Sequence, residues 1–155
     1  FAGELGEGVQ VFADYRAMLG LPDVDAVIVA SPGYLHEEMT VEAAKAKKHV
    51  FCEKPMAFTV DACDRMIEAC EEAGVSLTVC HDRRYHGEWM ALKEIVDSGV
   101  LGEIFFWKLD HNQDVIFPEG SWVRTKDGIG GGAIIAPFLI AVFQVFLDLG
   151  FQSGQ

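Results

Sequence analysis

The stretch Val24-Asp25-Ala26-Val27-Ile28-Val29-Ala30-Ser31-Pro32 decides how the rest of the chain reads. Residues 26–30 form an unbroken apolar run that Ser31-Pro32 ends. A run of this kind marks a strand buried on both faces, as in parallel sheets whose crossover helices cover each side. The pattern recurs downstream at Val50-Phe51-Cys52 and again over residues 75–80.

Helical periodicity fills the intervals. Over residues 35–46, Leu35, Met39, Ala43 and Ala46 share one face, while Lys45, Lys47 and Lys48 suit the negative end of the helix dipole. Thr59 is placed to cap a helix over residues 60–73, with Cys63, Met66, Ile67 and Cys70 as its apolar stripe and Gly74 at its C′ position. Upstream, Val9-Gln10-Val11-Phe12 alternates like a short strand, Asp14 caps a short helix over residues 15–19, and Pro22-Asp23 marks a turn. Apolar strands alternating with helices of about 10–15 residues indicate βαβ units and a parallel sheet. Right-handed crossovers make such a sheet doubly wound, and the fold class is α/β.

Ligands of such sheets bind beyond the carboxyl ends of the strands. Three segments fall there, residues 31–36, 53–55 and 81–85, and they hold most of the chemically capable side chains. After Tyr85 the rhythm changes. Residues 89–98 read as a helix with Trp89, Leu92 and Val96 inward and Gly99 as its stop, and residues 104–111 read as a strand of alternating aromatic and polar residues. The domain division is therefore residues 1–86, then residues 87–155, with a soft boundary over 86–103.

Composition excludes several function classes. Half of the 155 residues are hydrophobic and 23% are charged, which suits a packed core and not disorder. The net charge of −12 argues against nucleic acid and anionic membrane as partners, since both reward Lys/Arg clusters. Cys52, Cys63, Cys70 and Cys80 form no C-x-x-C pair, so neither a zinc ribbon nor a thioredoxin motif is present. They read as free, mostly buried thiols of a reducing compartment, and the expected location is cytoplasmic. His36-Glu37-Glu38-Met39-Thr40 is not a zincin motif, because position 40 is Thr and not His, and no metal site is expected. Residues 128–147 carry no charge, but their apolar part, residues 133–147, is short for a span and holds Pro137 and Gln144, so it reads as a buried helix. The opening Phe1-Ala2-Gly3-Glu4-Leu5-Gly6 offers neither an initiator Met nor a basic leader, and the chain is expected to start in mid-domain.

The stretch quoted first, followed by His36 and then by Lys48-His49-Val50-Phe51-Cys52-Glu53-Lys54-Pro55, resembles the Gfo/Idh/MocA family of oxidoreductases. Asp82-Arg83-Arg84-Tyr85, Leu92-Lys93, Ser98-Gly99-Val100-Leu101-Gly102-Glu103-Ile104, Trp122 and Gly130-Gly131-Gly132-Ala133 extend the resemblance to about residues 9–135. It implies the C-terminal half of a Rossmann-type sheet followed by the start of an α/β substrate domain. It further implies NAD or NADP as cofactor, a sugar, polyol or related hydroxy or carbonyl compound as substrate, and a homo-oligomeric parent more than twice this length.

Glu53-Lys54-Pro55 is the strongest signal. Lys54 follows a buried strand, and an ammonium there can hydrogen-bond a substrate hydroxyl and stabilise charge as hydride leaves carbon. Taken alone it reads rather as a surface loop lysine. The family's lysine at this place touches nicotinamide and substrate, so the resemblance makes Lys54 the catalytic candidate. Glu53 either orients Lys54 or bonds the nicotinamide ribose, and Pro55 fixes the turn. Ser31 and Pro32 begin the loop that approaches the dinucleotide. Family members commonly carry Pro-Asn where this chain has Pro32-Gly33, so an amide contact is missing. His36 either caps its loop and helix or lies beside the cofactor. Arg83 and Arg84 sit where relatives border nicotinamide, with Arg84 taken as the cofactor-binding candidate, and Trp122 and Arg124 resemble a loop that reaches the cofactor.

Two features depart from the family. No G-x-G-x-x-G turn is present: Gly3, Gly6 and Gly8 have the wrong spacing and precede the first strand. Members usually carry an Asp and, four residues on, a His after the Gly-rich turn, where this chain has Ala136 and Ile140, with Phe143 at a further position often held by Asp. His111 and Asp110 do not replace that pair by spacing. The leading expectation is an oxidoreductase chain truncated at both ends and inactive as it stands. The alternative is a non-catalytic relative that binds a dinucleotide or a partner, and the apolar tail alone supports a third reading, an interaction module or membrane-associated remnant.

Overall fold

A computed structural model gives the fold and describes residues 8–106, 108, 118–125 and 128. Three parallel strands, β1 (Ala26–Val29), β2 (His49–Cys52) and β3 (Leu77–Val79), form one sheet in the order β1-β2-β3. Among the described residues four helices accompany them: α1 (Tyr15–Leu19), α2 (His36–Lys45), α3 (Val60–Ala73) and α4 (Gly87–Asp97). Three short 3-10 turns lie at Gly33–Leu35, Asp82–Tyr85 and Trp122–Arg124. The connections β1-α2-β2 and β2-α3-β3 are the two expected βαβ units.

The caps explain the helix ends. The Asp14 carboxylate accepts from the Arg16 N–H at 3.0 Å. The Thr59 hydroxyl accepts from the Ala62 N–H at 3.2 Å, satisfying one of the unpaired donors of the first turn of α3. At the other end Gly74 adopts φ +69°, the left-handed conformation that a residue without Cβ takes freely. Helix α2 has no side-chain cap, but Glu37 and Glu38 lie in its first turn, beside the positive end of its dipole.

Both α2 and α3 lie on one side of the sheet. Two crossovers of the same hand that step in the same direction put their helices on the same face. Val27, Val29, Val50 and Cys52 point into that layer and join Leu19, Ala43, Ala44, Met66 and Cys70 in a single core. Residues alternate across a strand, so the other face receives Ala26, Ile28, Phe51 and Thr78, all exposed. Ile28 is 75% exposed where Val29 is 5%. The expectation of strands buried on both faces is thus corrected: an apolar run shows that both faces can be covered, and among the described residues only one is.

Other expectations shift for related reasons. Residues 9–12 form no strand; Val9 and Val11 are exposed, and a lone extended segment without a ladder partner is not stable. On α3 the buried set is Ala62, Met66 and Cys70, while Ile67 is 42% exposed, because α2 covers a narrower stripe than the periodicity allows. Helix α4 buries none of its residues; Trp89, Leu92 and Val96 are its half-buried ones beside Lys93. Residues 104–106 form no strand and Phe105 is exposed, while residues 107 and 109–117 lie outside the described residues, as does the uncharged tail from residue 129 onward.

Candidate functional site at the carboxyl edge of the sheet

The last rung of the sheet is Val29–Cys52–Val79. The ladder runs one step further, with the Glu53 N–H donating to Val29 O at 2.9 Å and the Cys80 N–H to Cys52 O at 2.7 Å. The strands then end together. Ser31, Lys54 and His81 each stand two residues beyond the same rung, so the three segments singled out in the sequence share one sheet edge.

At the centre of that edge Glu53 accepts the Lys54 backbone N–H through Oε2 at 3.0 Å. Glu53 therefore fixes the backbone of Lys54 and does not engage its ammonium. Lys54 is half-buried, and its Nζ makes no hydrogen bond or ion pair among the described residues. The Lys54–Pro55 peptide bond is cis. An ammonium so placed can donate a hydrogen bond to an external oxygen.

His36 is 1% exposed. Its Nδ1 lies 2.8 Å from Pro55 O and its Nε2 lies 2.9 Å from Ser31 O. A neutral imidazole donates one hydrogen bond and a doubly protonated one donates two, so at least one carbonyl is held in either form. The ring thus stands between the segment after β1 and the segment after β2. Ser31 Oγ lies against Pro32 O at 3.4 Å, and the Leu35 N–H donates to Pro32 O at 2.9 Å, closing the turn.

Gly33 is buried beneath Phe58. A Cβ at Gly33 would stand 2.7 Å from Phe58 Cε1 and 3.6 Å from Pro55 Cγ. A larger side chain at position 33 therefore has no room while Phe58 keeps its place. Phe58 escaped sequence reasoning, since nothing local marks a contact between loops 25 residues apart.

On the third strand end the Arg84 N–H donates to His81 O at 3.0 Å. Burial, then the Arg84 charge, lowers the pKa of His81. Burial, then the Glu53 carboxylate, raises that of the Cys80 thiol. Cys80 was not singled out from the sequence, and His81 opens the strand-end segment that was, without a role of its own. Cys52 is fully buried, and burial pushes its thiol up to about 11. All four cysteines are free. Nothing is described of the Arg83 and Trp122 side chains, and Ala136 and Ile140 lie outside the described residues. Among the described residues no three His, Cys, Asp or Glu side chains gather as metal ligands, and no helix is long and apolar enough to cross a membrane.

Comparison with known proteins agrees with this geometry. The family profile described as "Oxidoreductase family, NAD-binding Rossmann fold" matches residues 5–81. Myo-inositol 2-dehydrogenase of Thermotoga maritima is 36% identical over 120 residues, which are 77% of this chain and 36% of that protein. The crystal structure of the WlbA dehydrogenase from Bordetella pertussis, solved with NADH and UDP-GlcNAcA, is 36% identical with a TM-score of 0.62, covering 67% of this chain and 31% of that one. An NAD-binding protein from Listeria innocua is 26% identical with a TM-score of 0.78, covering 92% of this chain and 42% of that one. The chain spans 29–36% of the length of the first curated relatives it matches. With strand ends, lysine loop and sequence matches in agreement, this chain belongs to the Gfo/Idh/MocA family of oxidoreductases.

Proposed function

We propose that this chain forms the nicotinamide side of the dinucleotide site in an NAD(P)-dependent oxidoreductase, with Lys54 as its catalytic residue and a sugar, polyol or related hydroxy or carbonyl compound as substrate. The observation that carries the reading is the half-buried Lys54 ammonium, without a partner among the described residues, on the same sheet edge as Ser31 and His81. The residues present fit the nicotinamide and ribose end of the cofactor: Lys54, Glu53, Ser31, Pro32, Pro55, His36 and Arg84 stand on or brace that edge. They do not supply a pyrophosphate cradle, because the glycines ahead of β1 lack the G-x-G-x-x-G spacing. Residues 1–86 are accordingly assigned to the dinucleotide domain and residues 87–155 to a connecting helix and the start of the substrate domain.

When bound, the nicotinamide supplies the hydride donor or acceptor. Lys54 donates a hydrogen bond to the substrate oxygen and stabilises negative charge there. Glu53 holds the Lys54 backbone so that the ammonium projects past the strand end. Substrate orientation by these groups provides the rest of the chain's contribution.

The experiment is a chimera. Residues 9–106 of this chain replace the matching segment of the Thermotoga maritima myo-inositol 2-dehydrogenase, and oxidation of myo-inositol with NAD is followed by cofactor absorbance. Turnover that Lys54→Ala removes supports the proposal, and turnover indifferent to Lys54 refutes it. The second reading, a non-catalytic relative, is favoured by Ala136 and Ile140 in place of an Asp and a His. It predicts that extending the replaced segment to residue 147 abolishes turnover and that Ala136→Asp with Ile140→His restores it.

A further inference from the structure

We propose that His36 is a positioning residue for Lys54: together with the seating of Phe58 on Gly33, its ring locks the loop after β1 to the loop after β2 and so fixes where the lysine stands. The geometry is that of a strut. Each ring nitrogen faces a backbone carbonyl of a different loop, at 2.8 Å to Pro55 O and 2.9 Å to Ser31 O, and at least one of them donates. The ring is 1% exposed, so water has no ready access to replace either contact. Pro55 directly follows Lys54, its ring fixes φ, and so one free torsion, Pro55 ψ, separates Pro55 O from the planar Lys54–Pro55 peptide unit. A movement of Pro55 O is therefore transmitted to the Lys54 backbone.

A second contact between the same two loops is apolar. Phe58 lies over Gly33 so closely that a Cβ there would stand 2.7 Å from its ring, and Pro55 Cγ borders the same space. The polar strut and the apolar seat join the same loops around Lys54. The root of the loop after β2 is also held by the Glu53 N–H to Val29 O bond and the Lys54 N–H to Glu53 Oε2 bond. The lock itself is testable without reference to catalysis; its purpose rests on the role proposed above for Lys54.

The first measurement is amide hydrogen exchange in the 155-residue chain. It compares Glu53 and Lys54 with Val75, whose N–H donates to Cys70 O at the far end of α3. His36→Phe keeps a ring and removes both nitrogens. It is expected to speed exchange at Glu53 and Lys54 at least about tenfold, equivalent to about 1.4 kcal/mol of local opening, with a change under about threefold at Val75. His36→Gln, which retains an N–H donor, is expected to recover most of the protection. Equal acceleration at all three amides, or none, overturns the lock. Gly33→Asn is expected to act like His36→Phe by displacing Phe58, and Phe58→Leu in that background to reverse it, which keeps the test available if His36→Phe does not fold. Failure of the reversal overturns the role of Phe58.

The second measurement uses the chimera. His36→Phe is expected to lower kcat at least about tenfold while the KM for NAD stays within about threefold, and His36→Gln to restore kcat. Turnover that depends on Lys54 but not on His36 overturns the purpose assigned to the lock. Turnover independent of both overturns the nicotinamide reading, and the exchange data then judge the lock alone.

Discussion

Neighbouring residues of β1 offer a direct test of one-sided packing. Val29 is 5% exposed and points into the core, while Ile28, the larger side chain, is 75% exposed on the open face. Val→Ala removes two methylene equivalents and Ile→Ala three, each worth about 0.8 kcal/mol when fully buried. Only about a quarter of Ile28 is buried, so Ile28→Ala forfeits roughly 0.6 kcal/mol of burial. Val29→Ala forfeits roughly 1.5 kcal/mol, and incomplete collapse around the cavity raises that to about 2 kcal/mol. Both lose a β-branched residue from the same strand, so the propensity contribution largely cancels. The assay is urea unfolding of each variant followed by circular dichroism, reading the midpoint at constant m. The smaller deletion is predicted to cost more. An Ile28→Ala cost equal to or above that of Val29→Ala would mean that the Ile28 face is covered and would refute the one-sided core. In the chimera described above, with the rest of a dinucleotide domain supplied, the Ile28→Ala cost is predicted to rise toward the buried value.

Two further outcomes follow from single contacts. Thr59→Ala removes the cap on the Ala62 N–H and is expected to cost about 1 kcal/mol by the same urea assay, with Thr59→Ser close to wild type. Cys52, whose thiol burial raises from 9.0 to about 11, contributes stability that is complete below pH 9 and lost as pH rises from about 9 to about 11, because the unfolded thiol ionises first; a wild-type urea midpoint that falls no faster across this range than that of Cys52→Ala contradicts it.

What the sequence disclosed, and what it withheld, follows from the range of the contacts. The elements β1, β2, α2 and α3 were legible because caps and periodicity are local: Thr59 and Gly74 bracket α3 within one residue of its observed ends. Which face of a strand is covered is not local, and the run at residues 26–30 reads the same whether one layer of helices or two is present. Val9 to Phe12 has a strand's alternation, yet a strand forms only against a partner that alternation cannot announce. The site divides in the same way. A shared edge for Ser31, Lys54 and His81 follows from parallel topology alone. The two carbonyls that hold His36 and the ring that occupies the space over Gly33 depend on loops meeting in three dimensions, and no spacing encodes them. The resemblance supplied the weight given to Lys54; the structure adds that its ammonium has no partner among the described residues.

The claim on which the account turns is that Lys54 acts on substrate at the carboxyl edge of this sheet. The most direct measurement is kcat for myo-inositol oxidation by the chimera that carries residues 9–106 of this chain, with and without Lys54→Ala, at saturating NAD. Measurable turnover is expected in the parent chimera, with a loss of at least about 100-fold on substitution, the scale of a positioned acid–base group. A folded Lys54→Ala chimera that keeps kcat within about threefold of its parent contradicts it.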